Sequence, residues 1–113
     1  MSAEATLKQL RDESIALSRA IPDTMRAFQG LMKAASSDGA VSAKMKELIA
    51  TAIAIATKCE GCLAFHVHNA VRHGASRNEL AEIIGVAIEM GGGPATVYGG
   101  KALAAFDEFH GAQ

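Results

Sequence analysis

The run Leu48-Ile49-Ala50-Thr51-Ala52-Ile53-Ala54-Ile55-Ala56 decides the fold, because Thr51 is its one polar residue and it reads either as a buried strand or as a buried helix. The three isoleucines favour a strand. Alanine at 50, 52, 54 and 56 favours a helix, and with the residues before it the segment is too long for an ordinary strand. Ser42 stands where its hydroxyl can cap that helix, which is predicted to run to about Thr57. A helix apolar on every side is buried on every side. This one should therefore be the central helix, with a second subunit among the surfaces able to cover it.

Working outward, breaks at Gly, Pro, Ser and Asp divide the chain into about six helical stretches. The first is predicted from about Glu4 to Arg19, with Leu7, Leu10, Ile15 and Leu17 giving a partial apolar face. Pro22 opens the second, where its missing amide costs nothing; Met25, Phe28, Leu31, Met32 and Ala35 follow at helical spacing. Ser36-Ser37-Asp38-Gly39 forms the next break. Beyond the central helix, a fourth starts near Lys58 to Gly61 and runs to His73, with Gly74 as its stop. Ser76-Arg77-Asn78-Glu79 matches a capping box and begins a fifth, with Leu80, Ile83, Ile84, Ala87 and Ile88 on its apolar face. Gly91-Gly92-Gly93 ends it, and Pro94 opens the sixth. No stretch alternates with period two for long, so the expected fold is all-α: a single domain over residues 1–113, a bundle of about six helices with essentially no sheet.

Half of the 113 residues are hydrophobic, yet only four Phe, one Tyr and no Trp are present. Ala, Leu, Ile and Met must then fill the core, with Met25, Met32, Met45 and Met90 as filler. A small domain buries a modest share of its surface, so a chain this apolar has reason to bury more by self-association. The net charge is −1, from 11 basic and 12 acidic residues. The bases form no cluster interleaved with aromatics, which argues against nucleic acid as a partner. The segment Met1 to Gln9 lacks the apolar core of a signal peptide, and Leu48 to Thr57 is far short of the roughly 20 residues of a membrane span. The expectation is a cytoplasmic protein with no membrane partner.

Two cysteines do not make the framework of a secreted mini-protein, and at Cys-x-x-Cys spacing in a reducing compartment they read as a redox dithiol or part of a metal site. The informative segment is Cys59-Glu60-Gly61-Cys62-Leu63-Ala64-Phe65-His66. Thiols three residues apart at a helix start can close a disulfide, and the unpaired amides there favour thiolate over thiol. His66 lies four residues beyond Cys62, on the same helical face, where an imidazole can take the thiol proton. That geometry favours Cys62 as the base-assisted nucleophile and Cys59 as the residue that closes the disulfide, although the helix dipole alone would favour Cys59. Glu47 borders the apolar run, where an unpaired carboxylate is costly. Bonded to His66, it would orient the ring as the third group of a triad does. The thiols would carry this chemistry without cofactor or metal.

Glu47, eleven intervening residues, then Cys59-x-x-Cys62-x-x-x-His66 resembles the signature of the AhpD-like alkylhydroperoxidases of the carboxymuconolactone decarboxylase family. Lys46-Glu47-Leu48-Ile49-Ala50 before the motif, and Ala70, Gly74-Ala75 and Glu79-Leu80 after it, agree with that resemblance. It extends over roughly Asp38 to Ile88. It implies an all-α homo-oligomer, commonly a trimer or hexamer, with thiol-dependent peroxidase or disulfide-reductase activity. It further implies Cys62 as the attacking thiol, Cys59 as the resolving one, and His66 with Glu47 as the proton relay. The partners implied are a small-molecule peroxide and an external dithiol reductant, such as a lipoyl-bearing protein. AhpD itself carries a second histidine between the cysteines where this chain has Gly61, so a smaller AhpD-like relative is the nearer match.

The competing readings are a decarboxylase-like enzyme acting on a small lactone acid, and a non-catalytic oligomeric module with incidental thiols. Zinc held by Cys59, Cys62 and His66 would need a fourth ligand, and His68 lies about 200° around the helix from His66. His68 and His73 read as surface or helix-end residues, and His110 falls in a frayed tail. Tyr98 is open to either a substrate or a subunit contact.

Overall fold

The computed structural model describes residues 2–111. They form six helices: α1 (Ala3–Ala20), α2 (Pro22–Ser36), α3 (Ala43–Ala56), α4 (Glu60–Arg72), α5 (Arg77–Gly91) and α6 (Gly93–Gly111). There is no strand among the described residues. The all-α expectation holds, and the breaks fall where the punctuation placed them.

Each boundary has a local cause. Ser2 caps α1, its hydroxyl accepting the Ala5 N–H at 3.0 Å. Ile21 alone separates α1 from α2, at φ −135° and ψ 66°, outside the helical region that a following proline disfavours. Ser42 caps α3 by accepting the Met45 N–H at 3.1 Å, and Asp38 reinforces the same start by accepting the Ala43 N–H at 2.7 Å. The capping box at α5 is complete: Ser76 accepts the Glu79 N–H at 3.0 Å, and Glu79 accepts the Ser76 N–H at 2.8 Å. Only Gly92 interrupts α5 and α6, at φ +70°, a conformation in which glycine carries no steric penalty.

The core lies where α3, α4, α5 and α6 meet. Leu48 and Ile55 from α3, Leu63 and Val67 from α4, Leu80 and Ile84 from α5, and Phe106 and Phe109 from α6 are buried together. Small residues bring the helices close: Ala70 and Ala102 are fully buried, and a Cβ on Gly99 would come within 2.7 Å of the Ile84 Cγ2. By contrast α1 buries only Leu7, and α2 buries nothing.

Four expectations are corrected. The central helix is not covered on all sides by this chain: Leu48, Thr51, Ala54 and Ile55 are buried, but Ile49 and Ile53, one turn apart on the opposite stripe, are 44% and 58% exposed. Its neighbours in the chain leave that stripe bare. Except for Met45, which packs against the core, the methionines are not core filler. Met25, Met32 and Met45 are only half-buried, and Met90 is 80% exposed at the end of α5. His110 is not frayed, because α6 continues to Gly111 and its ring stacks on Phe106 at 5.4 Å. His68 is not a surface residue: it is half-buried and packs edge-on against Phe109 at 5.0 Å. His73 does end α4, as expected.

Candidate active site

The α3–α4 junction sets the site. Two hydrogen bonds close the end of α3: Cys59 N–H to the Ala54 carbonyl at 3.0 Å and Lys58 N–H to the Ile55 carbonyl at 3.2 Å. This is the Schellman arrangement, which calls for a left-handed residue between cap and exit. Lys58 takes that role at φ +58°, although glycine would do so with less strain. The same motif ends α4, with Gly74 at φ +84°, Ala75 N–H to Ala70 at 2.9 Å and Gly74 N–H to Val71 at 3.0 Å. The turn at Lys58 delivers Cys59 directly as the N-cap of α4. No sequence signal marks Lys58, since the usual glycine or asparagine is absent there.

Cys59 and Cys62 are joined in a disulfide, with their Cα atoms 5.3 Å apart. The Cys59 sulfur also accepts the Cys62 N–H at 3.2 Å, so a sulfur occupies the place of a capping oxygen. Cys59 is half-buried and Cys62 is exposed. An incoming reagent thus meets Cys62 first, while Cys59 sits against the electropositive helix end. Exposure thus sets Cys62 apart, and the helix end sets Cys59 apart.

Because α3 and α4 pack against each other, Glu47 meets His66. The Glu47 Oε2 lies 2.7 Å from the His66 Nδ1, across 19 residues of sequence. Glu47 is 5% exposed and enclosed by the apolar surroundings that its neighbours predicted. A carboxylate can only accept, so Nδ1 donates, and in the neutral ring Nε2 carries the lone pair. Nε2 has no protein hydrogen-bond partner among the described residues. The fully buried Thr51 hydroxyl donates to the Glu47 carbonyl at 2.9 Å. Phe65 meets the His66 ring edge-on at 5.0 Å. Thr51 and Phe65 were not foreseen as site residues; as a buried polar residue and the neighbour of His66, only the first carried any signal.

The site is bordered by one ion pair, Lys101 to Glu60 at 3.1 Å, linking the first turn of α4 to α6. Both partners are half exposed, so it adds little stability. Among the described residues no three His, Cys, Asp or Glu side chains are grouped so as to hold a metal ion. No helix among them is long and apolar enough to cross a membrane.

The fold and these contacts define a class: helical proteins with a Cys-x-x-Cys at a helix start and a histidine of that helix bonded to a buried glutamate. Residues 22–108 match the model of the carboxymuconolactone decarboxylase family. The chain belongs to that family. It is 50% identical over 101 residues, 89% of each chain, to an uncharacterized protein of Cupriavidus necator. It is 44% identical over 86 residues to uncharacterized protein 4 in the cox locus of Paracoccus denitrificans, covering 76% of this chain and 78% of that one. Among solved structures, it superposes with TM-score 0.93 and 41% identity on the apo form of a carboxymuconolactone decarboxylase family protein from Legionella pneumophila, over 96% of each chain. A family protein of Thermotoga maritima, whose description connects it with the antioxidative response, gives TM-score 0.73 at 22% identity, covering 88% of this chain and 91% of that one. At that identity the likeness establishes the fold alone.

Proposed function

We propose that this protein is a thiol-dependent peroxidase, with disulfide reduction as the other activity open to the same pair, using Cys62, Cys59, His66 and Glu47. The observation that carries the reading is the 2.7 Å bond between Glu47 and the Nδ1 of His66, a ring four residues beyond the exposed Cys62 on one helix. It leaves Nε2 as a base on the face of α4 that also carries Cys62.

In the reduced protein, Nε2 takes the Cys62 proton and the imidazolium is held by the Glu47 carboxylate. The thiolate attacks the outer oxygen of a hydroperoxide, the O–O bond breaks, and the alkoxide leaves with the proton returned from His66. Cys62 is then a sulfenic acid. The Cys59 thiol condenses with it, forming the disulfide and releasing water. An external dithiol attacks the exposed Cys62 sulfur, and Cys59 departs as a thiolate stabilised by the Cys62 amide and the helix end, as a good leaving thiol should be. A second exchange frees Cys62 and oxidises the reductant. The balance is one hydroperoxide and one dithiol giving an alcohol, water and a disulfide.

The peroxide and a dithiol such as a lipoyl-bearing protein are the partners this cycle requires, and the cytoplasm is the compartment that would keep the pair reduced between turnovers. Exposed Ile49, Ile53, Phe28, Leu31 and Met90 support a homo-oligomer, trimer or hexamer, in which these surfaces are covered.

The test is turnover of an alkyl hydroperoxide with dihydrolipoamide as reductant. Cys62→Ser should abolish it. Cys59→Ser should complete a single turnover and leave a sulfenic acid that a dimedone-type reagent traps at Cys62. Full turnover by Cys62→Ser would defeat the assignment.

A further inference from the structure

We propose that the cleft between α1, α4 and α6 is a second small-molecule site, separate from the cysteine pair, for an organic monoanion with an apolar body.

The cleft encloses about 470 Å³, within the range of ligand pockets. Its floor is apolar: Leu7, Val71 and Phe109 are each buried and line it. Its rim is charged. Lys8 and Asp12 neutralise each other at 2.7 Å. Arg11 and Arg72 also line the cleft, and neither forms an ion pair among the described residues. With Glu4 the rim holds three cations against two carboxylates, an excess that suits a single negative charge.

His68 lies between floor and rim. Its Nδ1 is buried without a hydrogen-bond partner, and its ring rests edge-on against Phe109. Burial, then the charges of Arg11 and Arg72, hold the His68 pKa below its ordinary value. The ring is therefore neutral at neutral pH and can donate one hydrogen bond, while the two guanidinium groups supply the charge. The position is independent of the thiol chemistry. His66 turns toward Glu47 on α3, and His68, about 200° around α4, meets Phe109 on α6.

A fatty carboxylate fits this description: the head on Arg11, Arg72 and His68, the chain on Leu7, Val71 and Phe109. The probe is octanoate, with 1-octanol as the uncharged control, titrated calorimetrically into the full chain while the His68 imidazole is followed by NMR. Saturable binding of one octanoate per chain is expected, with 1-octanol about tenfold weaker or worse. Octanoate should raise the His68 pKa, since a nearby anion favours the charged ring. Arg11→Gln with Arg72→Gln, both at exposed positions, should weaken octanoate by about tenfold or more and leave 1-octanol unchanged. The double variant should keep the wild-type reactivity of Cys62. Absence of binding, equal binding of acid and alcohol, or a His68 signal indifferent to octanoate in the wild type would each overturn the proposal. So would a cleft that is closed by a second copy of the chain in solution.

Discussion

Replacing Glu47 by Gln probes the relay with little change of shape. The side chain is 5% exposed, so an isosteric amide keeps the packing while removing the charge. The bond at stake is the 2.7 Å contact with the His66 Nδ1. A hydrogen bond to a charged partner contributes about 1.5–3 kcal/mol, and a neutral one about 0.5–1.5 kcal/mol. The difference, about 1–1.5 kcal/mol, is felt when His66 becomes an imidazolium after taking the Cys62 proton, and it corresponds to about tenfold in rate. A larger loss is possible in principle, because unit charges about 4 Å apart interact by about 4 kcal/mol at an effective dielectric of 20. The His66 side chain remains 24% exposed, and solvent screening holds the effect toward the low end. The expected result is a fall of about ten- to a hundredfold in the second-order rate of hydroperoxide reduction by pre-reduced protein, measured by stopped flow. Thermal unfolding should show a melting temperature within a few degrees of wild type. A rate within about twofold of wild type, with the fold intact, would refute the coupling of carboxylate to sulfur.

Gly99→Ala should destabilise by about 1–3 kcal/mol, since the new methyl would lie 2.7 Å from the stiff Cγ2 of buried Ile84; an unchanged melting temperature would contradict the close α5–α6 approach. Lys58→Gly should stabilise by up to about 1 kcal/mol in denaturant unfolding, because its φ of +58° is strained for lysine and natural for glycine; destabilisation would show that the lysine side chain contributes more than its backbone costs. His68 carries a pH signature. Its folded pKa is lowered by burial and by Arg11 and Arg72, so around and below its ordinary value near 6.5 the unfolded chain binds more protons than the folded one. Its contribution is fully present above about pH 6.5 and is lost as pH falls through the folded pKa. His68→Gln should flatten the fall of unfolding free energy across that window, and an unchanged slope would show that the ring does not titrate as described.

The helices were legible because their punctuation is chemical. Ser42 and the Ser76/Glu79 box cap α3 and α5 through the bonds their side chains can make, and Pro22 and Gly92 break the chain where no side chain or amide permits otherwise. The hidden parts depend on what surrounds each helix. Periodicity showed that α3 is apolar all round; it could not show that one chain covers only part of it and leaves Ile49 and Ile53 bare. His68 and Met90 were misplaced for the same reason, because exposure belongs to the packing and not to the residue type. At the site, the i, i+4 relation of Cys62 and His66 was written in the sequence. The meeting of Glu47 with His66 was a hypothesis until the α3–α4 packing produced it. The left-handed turn at Lys58 left no trace, since nothing in a lysine announces a positive φ.

Proton transfer from Cys62 to His66 is the step on which the proposed cycle depends most, and the thiolate ultraviolet absorbance of the reduced protein, titrated against pH, reads that transfer directly. Wild type and Cys59→Ser should both show a thiolate forming well below the free-thiol value of about 8.5, and His66→Asn should return the Cys62 midpoint close to it. A midpoint that stays low in His66→Asn, or that is ordinary in the wild type, would contradict the claim that this imidazole activates the sulfur.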